Sequence, residues 1–330
     1  MKFLVVGCGS IGTRHIRNLQ ELQVKEIIGF DSKPERRAET NALLGISTFD
    51  DYATALAQDP DAVLICTPTS LHLSYAQQAV KQKAHVFIEK PLSHSLDDVD
   101  AFLATVEQHN VITLVGCNYR FHPGLQAIKT KLDNGQIGKP LSAHVEFGQY
   151  LPDWHPWEDY RQGYSANQSL GGGIILDRIH EIDYITWLLG DPTEVFCFAD
   201  TLSNLEIDTE DIAKTLIRFK NGTLADIHVD YLQRAYHCSC KIVGEKGTLL
   251  WDYQKHAVHH YCSKSKQWHI SQWKDAYDAN DMYLKEMAHF LACIKKEQQP
   301  ELDAMGGKRI LQIADAAKQS ALTGQKIQLS

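Results

Sequence analysis

At 330 residues the chain is long for one ordinary core and suits two domains. Hydrophobic content of 44% and charged content of 22% are those of a soluble globular protein. A net charge of −8 argues against recognition of nucleic acid through its phosphates, which needs a basic face, and no apolar run approaches the ~20 residues of a membrane helix.

Lys2-Phe3-Leu4-Val5-Val6 reads as a strand, breaks into Gly7-Cys8-Gly9-Ser10-Ile11-Gly12, and continues in a helical pattern. The apolar start is too short for a signal peptide and its glycines come too early, so a cytoplasmic protein is expected. In such a turn the first glycine permits a tight bend, the second lets backbone approach a pyrophosphate, and the third lets helix and strand pack closely. The helix that opens at Ser10 and Ile11 then points N–H groups and a partial positive charge at the phosphates. Glu26-Ile27-Ile28-Gly29-Phe30 is a second strand, and Asp31 ends it where the acid for the ribose hydroxyls belongs. Asp31 accepts both hydroxyls of NAD and repels a 2′-phosphate. Lys33, Arg36 and Arg37 follow closely and would tolerate one, so NAD is expected, with NADP as the alternative.

A helix over 34–44 follows, with Pro34 in its first turn and Gly45 as its stop. Ala62-Val63-Leu64-Ile65-Cys66 is a continuous apolar run ending in Thr67-Pro68, as a central parallel strand should be. His85-Val86-Phe87-Ile88 ends in Glu89-Lys90-Pro91; a helix over 96–108 and a strand over 112–116 complete the alternation. The rhythm is that of a doubly wound parallel sheet, a dinucleotide-binding Rossmann domain over 1–120. Pro91 biases Lys90 toward extended backbone and limits where its ammonium points. A lysine at a strand end is ordinarily a surface residue; beside a nicotinamide it becomes a catalytic candidate.

Asn118-Tyr119-Arg120-Phe121 leads into a helix over 122–134, and Gly138-Lys139-Pro140 starts an extended segment. From 194 to 273 the chain is rich in strands. Asn221-Gly222 and Glu245-Lys246-Gly247 are hairpin signals, and alternation in 223–229 and 240–243 predicts an antiparallel sheet with one covered face. Helices over 279–296 and 302–323 close the chain, giving a second domain over 121–330.

Within that domain, Gly171-Gly172-Gly173 opens a helix running through Leu189 to Gly190. Asp177, His180, Glu181 and Tyr184 stand at i, i+3, i+4 and i+7 and share one face, whereas Asp183 projects elsewhere as a structural hydrogen-bonding residue. A histidine flanked by carboxylates is what a general base with an orienting partner requires, although a solvated polar face has the same spacing. Three glycines start a helix poorly unless backbone must come close to something, so the N–H groups around Gly172 are expected to meet a substrate oxygen. Between residues 150 and 161, Trp154 and Tyr160 alternate with charged residues and suit stacking on sugar C–H faces. A loop pinned by its tryptophans explains them equally well. Arg161 is the candidate for an anionic group.

The eight cysteines contain no Cys-x-x-Cys pair and read as buried, reduced thiols. His256, His259 and His260 lie in a strand-like stretch and read as exposed surface. No metal is predicted.

Together these motifs resemble the Gfo/Idh/MocA family of sugar and polyol oxidoreductases over essentially the whole chain. The resemblance rests on the Gly7 to Gly12 fingerprint, Thr67-Pro68-Thr69 with His72, Glu89-Lys90-Pro91, Asn118-Tyr119-Arg120, and the helix after Gly171. It implies a second domain with a large, mainly antiparallel open sheet that commonly joins subunits, hence a homodimer or homotetramer. It also implies cofactor contacts from Thr67, Pro68, His72, Glu89 and Asn118, and substrate contacts from Tyr119 and Arg120. Lys90 would hold the reacting oxygen and His180 exchange the proton. Several members place the acid four residues before this histidine; Asp177 is three before it, so either Asp177 or Glu181 orients His180. The implied activity is hydride transfer between NAD and a secondary hydroxyl of a cyclic sugar, inositol, sugar acid or nucleotide-linked sugar. A glycosidase that oxidises its sugar transiently, or a non-catalytic NAD sensor, are the alternatives.

Overall fold

The computed structural model describes residues 1–273 and 277–329. The first part of the chain alternates β1 (Lys2–Val6), α1 (Ser10–Glu21), β2 (Glu26–Phe30), α2 (Pro34–Leu44), β3 (Ser47–Phe49), α3 (Tyr52–Leu56), β4 (Ala62–Ile65), α4 (His72–Lys81), β5 (His85–Glu89), α5 (Val99–His109) and β6 (Thr113–Gly116). Local chemistry sets the boundaries. Pro34 sits in the first turn of α2, Gly45 closes it at φ +65°, and Asp51 caps α3 by accepting from the Thr54 N–H at 2.7 Å. The six strands are parallel in the order β3-β2-β1-β4-β5-β6. That order reverses between β1 and β4, and the crevice beyond the carboxyl ends of those strands is where such sheets bind ligands.

The chain continues through α6 (Pro123–Asp133), β7 (Pro140–Gly148), α7 (Ile174–Asp177), α8 (Ile179–Leu189), β8 (Pro192–Asp200), β9 (Ile212–Phe219), β10 (Leu224–Asp230), β11 (His237–Gly244), β12 (Gly247–Asp252), β13 (Ala257–Cys262) and β14 (Gln267–Gln272). It ends with α9 (Asn280–Ile294), α10 (Ala304–Thr323) and β15 (Ile327–Gln328). The later strands form a nine-stranded sheet in the order β14-β13-β12-β11-β7-β10-β9-β8-β15. Neighbours run antiparallel except β7 and β10, which are parallel. In β9 every second residue is buried, so one face of the sheet covers a core and the other carries Lys214, Leu216 and Arg218. Both hairpin signals mark hairpins, joining β9 to β10 and β11 to β12.

Two compact units result, Met1–Asn118 with Ala279–Arg309, and Tyr119–Asp278 with Ile310–Ser330. The sequence division placed everything after residue 120 in one domain, whereas Ala279–Arg309 groups with the first unit. The reason is packing: α9 buries Met287, Phe290 and Leu291 in the same core as Phe3, Val5, Ile16, Leu64 and Phe87. An amphipathic pattern shows that a helix has an apolar face, not which core receives it. Cys8, Cys66, Cys117, Cys197, Cys238, Cys240 and Cys293 are buried and Cys262 is half-buried, all of them outside disulfides. His256, His259 and His260 are half-buried, not fully exposed: His259 and His260 lie opposite Ile270 and His269 of β14, and His256 packs beside the rings of Tyr253 and Trp273.

Candidate active site

In the first unit the turn after β1 depends on its glycines. Gly7 adopts φ +95°, and a Cβ there would lie 2.6 Å from the Cys66 carbonyl oxygen; at Gly12 a Cβ would lie 1.9 Å from the Gly7 carbonyl oxygen. At Gly9, by contrast, a Cβ would meet only the Arg36 guanidinium, at 3.4 Å. One side of this turn is therefore open to a ligand. Ser10 is exposed and Ile11 packs against the core, so what they can offer a ligand is backbone N–H. No side chain caps α1 among the described residues, and its first turn carries no acid. An anion is free to take that place.

Asp31 is buried and its carboxylate is fixed from two sides. Oδ2 accepts from the Cys8 N–H and Oδ1 from the Lys33 N–H, each at 2.8 Å, and each oxygen keeps a lone pair for a further donor. The Arg36 guanidinium is 3.8 Å away, while Arg37 donates to the carbonyls of Asp31 and Ser32. Thr67 Oγ1 and Asn118 Oδ1 are buried with no hydrogen-bond partner among the described residues. Buried polar atoms left this way await a ligand or water. Turn, acid and orphaned oxygens all fit a dinucleotide.

His72 behaves differently from expectation. Its Nδ1 lies 2.8 Å from the Pro91 carbonyl and its Nε2 3.0 Å from the Thr67 carbonyl. With both nitrogens facing backbone carbonyls, it holds the loop between Thr67 and Pro91; burial pushes its pKa below the usual value. The Glu89 carboxyl is likewise engaged, with Oε1 at 2.6 Å from His15 Nε2 and Oε2 accepting from the Lys90 N–H at 3.2 Å. Lys90 follows directly at the carboxyl end of β5, half-buried. Pro68, half-buried, leads into the turn before α4.

In the second unit the three glycines serve packing. Gly171 and Gly173 have φ of +84° and +104°, and a Cβ on Gly172 would lie 2.1 Å from the Tyr164 carbonyl oxygen. Their N–H groups donate to the carbonyls of Gln168, Asn167 and Ser165 at 2.9, 3.0 and 3.2 Å. The expectation that Gly172 presents its N–H to substrate is thus corrected.

The single helix expected after them is also two. Arg178, at φ −100° and ψ 38°, separates α7 from α8, so Asp177 and His180 do not share one continuous helical face. The Asp177 carboxylate accepts from the Tyr164 hydroxyl, from Ser165 Oγ at 2.6 Å and from the Tyr231 hydroxyl at 3.0 Å. His180 is buried in the first turn of α8, its ring 4.8 Å from that of Tyr119. Glu181, the other proposed partner of His180, is fully buried and paired with Arg178 at 2.7 Å. The Arg178 guanidinium lies 3.4 Å over the Phe147 ring.

Asp183 is structural, as its projection suggested. Arg120 Nη2 reaches Asp183 Oδ1 at 2.7 Å and Nε reaches Oδ2 at 3.0 Å, both groups buried. These two nitrogens are therefore committed inside the fold and not to a substrate. Arg161 lies in an exposed loop between Asp159 and Glu206, at 2.8 and 2.9 Å, so its charge is met by two carboxylates. The Tyr160 hydroxyl accepts from the Glu206 N–H at 3.2 Å. Trp154 donates to the Gln149 carbonyl at 3.1 Å and packs edge-on against Phe147 and Tyr231, pinning its loop, while Trp157 is exposed. Sequence reasoning missed His15, Tyr164, Ser165 and Tyr231. Only the first carried a signal, its place one turn beyond Gly12.

Comparison with known proteins agrees with this geometry. Residues 1–117 match the model described as an oxidoreductase family with an NAD-binding Rossmann fold, and residues 125–250 match the GFO/IDH/MocA C-terminal domain. Myo-inositol 2-dehydrogenase of Thermotoga maritima is 30% identical over 347 residues, covering 100% of this chain and 98% of that protein. scyllo-Inositol 2-dehydrogenase (NAD(+)) of Bacillus subtilis is 27% identical over 98% of this chain and 95% of its own. A levoglucosan dehydrogenase solved with NADH superposes with a TM-score of 0.91 at 20% identity, covering 100% of this chain and 99% of that one, a likeness of fold. With the glycine turn, Asp31 and the two kinds of sheet already in place, the chain belongs to the Gfo/Idh/MocA family of NAD-binding oxidoreductases.

Proposed function

We propose that the protein is an NAD-dependent dehydrogenase of a secondary hydroxyl on a ring polyol or sugar, an inositol being the first substrate to try. The observation that carries this reading is the full-length kinship with an inositol dehydrogenase at 30% identity. When bound, NAD supplies a nicotinamide that accepts or returns a hydride. The Lys90 ammonium holds the reacting oxygen and stabilises the negative charge that grows on it. His180 takes the hydroxyl proton and gives it back in the reverse direction. Asp177 supports His180 indirectly, by tying Tyr164, Ser165 and Tyr231 together just before α8. Self-association is assigned to the outer face of the nine-stranded sheet, where Phe198, Leu216 and Leu224 are exposed.

The test is NADH formation from NAD, followed by absorbance, with a panel of inositols, aldoses, sugar acids and sugar nucleotides. Turnover is expected with a cyclic polyol or sugar. If no panel member yields NADH, and no corresponding ketone consumes it, the reading fails; a glycosidase would release sugar without net NADH.

A further inference from the structure

We propose that His15 is a positioning residue for Lys90, acting through the Glu89 carboxyl group. The inference rests on the reading of Lys90 as the group that holds the reacting oxygen.

His15 stands one turn beyond Gly12 on α1, the helix that opens at the glycine turn, and it is fully buried. Its Nε2 lies 2.6 Å from Glu89 Oε1, across 74 residues of chain. Glu89 Oε2 in turn accepts from the N–H of Lys90 at 3.2 Å, so the Glu89 side chain folds back on the peptide that follows it. Fixing this carboxyl therefore fixes the direction in which the chain leaves β5 and carries Lys90. The imidazole cannot easily rotate away. It packs edge-on against Phe87 of β5, with ring centroids 5.0 Å apart, and against Tyr283 of α9 at 6.1 Å. Tyr283 is itself covered by the Arg14 guanidinium at 4.4 Å.

The other ring nitrogen shows what the histidine is for. His15 Nδ1 is buried and has no hydrogen-bond partner among the described residues. An apolar side chain would fill this space without that penalty. What only the histidine adds is the Nε2 contact with Glu89. On the far side of Lys90, His72 Nδ1 meets the Pro91 carbonyl at 2.8 Å. Both neighbours of Lys90 are thus held by buried imidazoles. The consequence is mechanical. The helix that opens at the glycine turn, where the pyrophosphate of a bound dinucleotide would lie, also sets the strand end that carries the lysine. A displacement of about 1 Å in a group that holds a reacting atom costs on the order of 10²-fold in rate.

The test compares His15→Gln with His15→Asn in the full-length protein. The glutamine amide reaches about as far as imidazole Nε2, and the asparagine amide falls short of Glu89. We expect His15→Gln to keep kcat within about threefold and His15→Asn to lose tenfold or more, with NAD affinity in both close to that of the parent. NAD affinity is read by fluorescence titration and folding by thermal melts. Glu89→Ala removes the shared carboxyl and is expected to reproduce the loss, so a comparison survives if one variant does not fold. Equal kcat in His15→Gln and His15→Asn, whether both high or both low, overturns the inference, as does a loss confined to NAD affinity. Lys90→Ala is measured alongside. If that variant turns over normally, the reading of Lys90 has failed; if it is inactive while His15→Asn is normal, only the role of His15 has.

Discussion

Arg120 and Asp183, sixty-three residues apart in the chain, meet in a buried two-point contact of 2.7 and 3.0 Å. Removing Asp183 takes the facing carboxylate away from the buried Arg120 guanidinium. Asp183→Ala is expected to cost about 3–5 kcal/mol, read from urea unfolding. Replacing both with apolar residues of similar volume, Arg120→Met with Asp183→Leu, should recover most of that loss. A double variant less stable than Asp183→Ala would show that the pair contributes more than mutual neutralisation.

In the proposed reaction Lys90 and His180 have separable roles, one electrostatic and one in proton transfer. Lys90→Ala should lower kcat by about 10²–10³-fold. His180→Ala should lower it by about 10²–10⁴-fold. In both, NAD should still bind, because the glycine turn and Asp31 are untouched. Steady-state kinetics beside a fluorescence titration of NAD checks this; near-normal turnover in either variant removes that residue from the mechanism.

Asp31 should govern the choice between NAD and NADP. Asp31→Ser removes the carboxylate and leaves the Arg36 guanidinium, now 3.8 Å from it, to meet a 2′-phosphate. The ratio of kcat/KM for the two cofactors should move toward NADP by tenfold or more, about 1.4 kcal/mol. An unchanged ratio would place the ribose elsewhere.

Asp230 links stability to acid. Burial acts to raise its pKa, but donation from His228 at 2.6 Å, from Gln233 and from the N–H of Leu232 outweighs burial and brings it below the ordinary value. A carboxyl group depressed in the folded state stabilises the protein above its unfolded pKa of about 3.9, and that contribution disappears as pH falls through the folded value. Asp230→Asn should therefore melt lower than the parent at pH 7, with the gap closing below about pH 4. Melts at both pH values that show a constant gap would contradict the sign.

Some of the site could be read locally. Gly7 and Gly12 are demanded by contacts within a few ångströms of one turn, and Lys90 is placed by the strand it terminates. The apolar run of 62–66 announced a central strand because four consecutive residues there are buried. Other local readings failed where backbone competed for the same groups. The N–H groups of Gly171, Gly172 and Gly173 looked available and are bonded to residues 165–168. Likewise Arg178 leaves helical geometry inside a stretch whose apolar spacing continues without interruption.

The order of residues alone determined the two-domain plan, the dinucleotide turn and the acid beside it, because backbone sterics and apolar repeats act over about ten residues. Only packing decided that α9 joins the first core, that Arg120 meets Asp183 and that His15 meets Glu89. A polar side chain takes its partner from whichever element is pressed against it, and that neighbour lies outside its own stretch of chain.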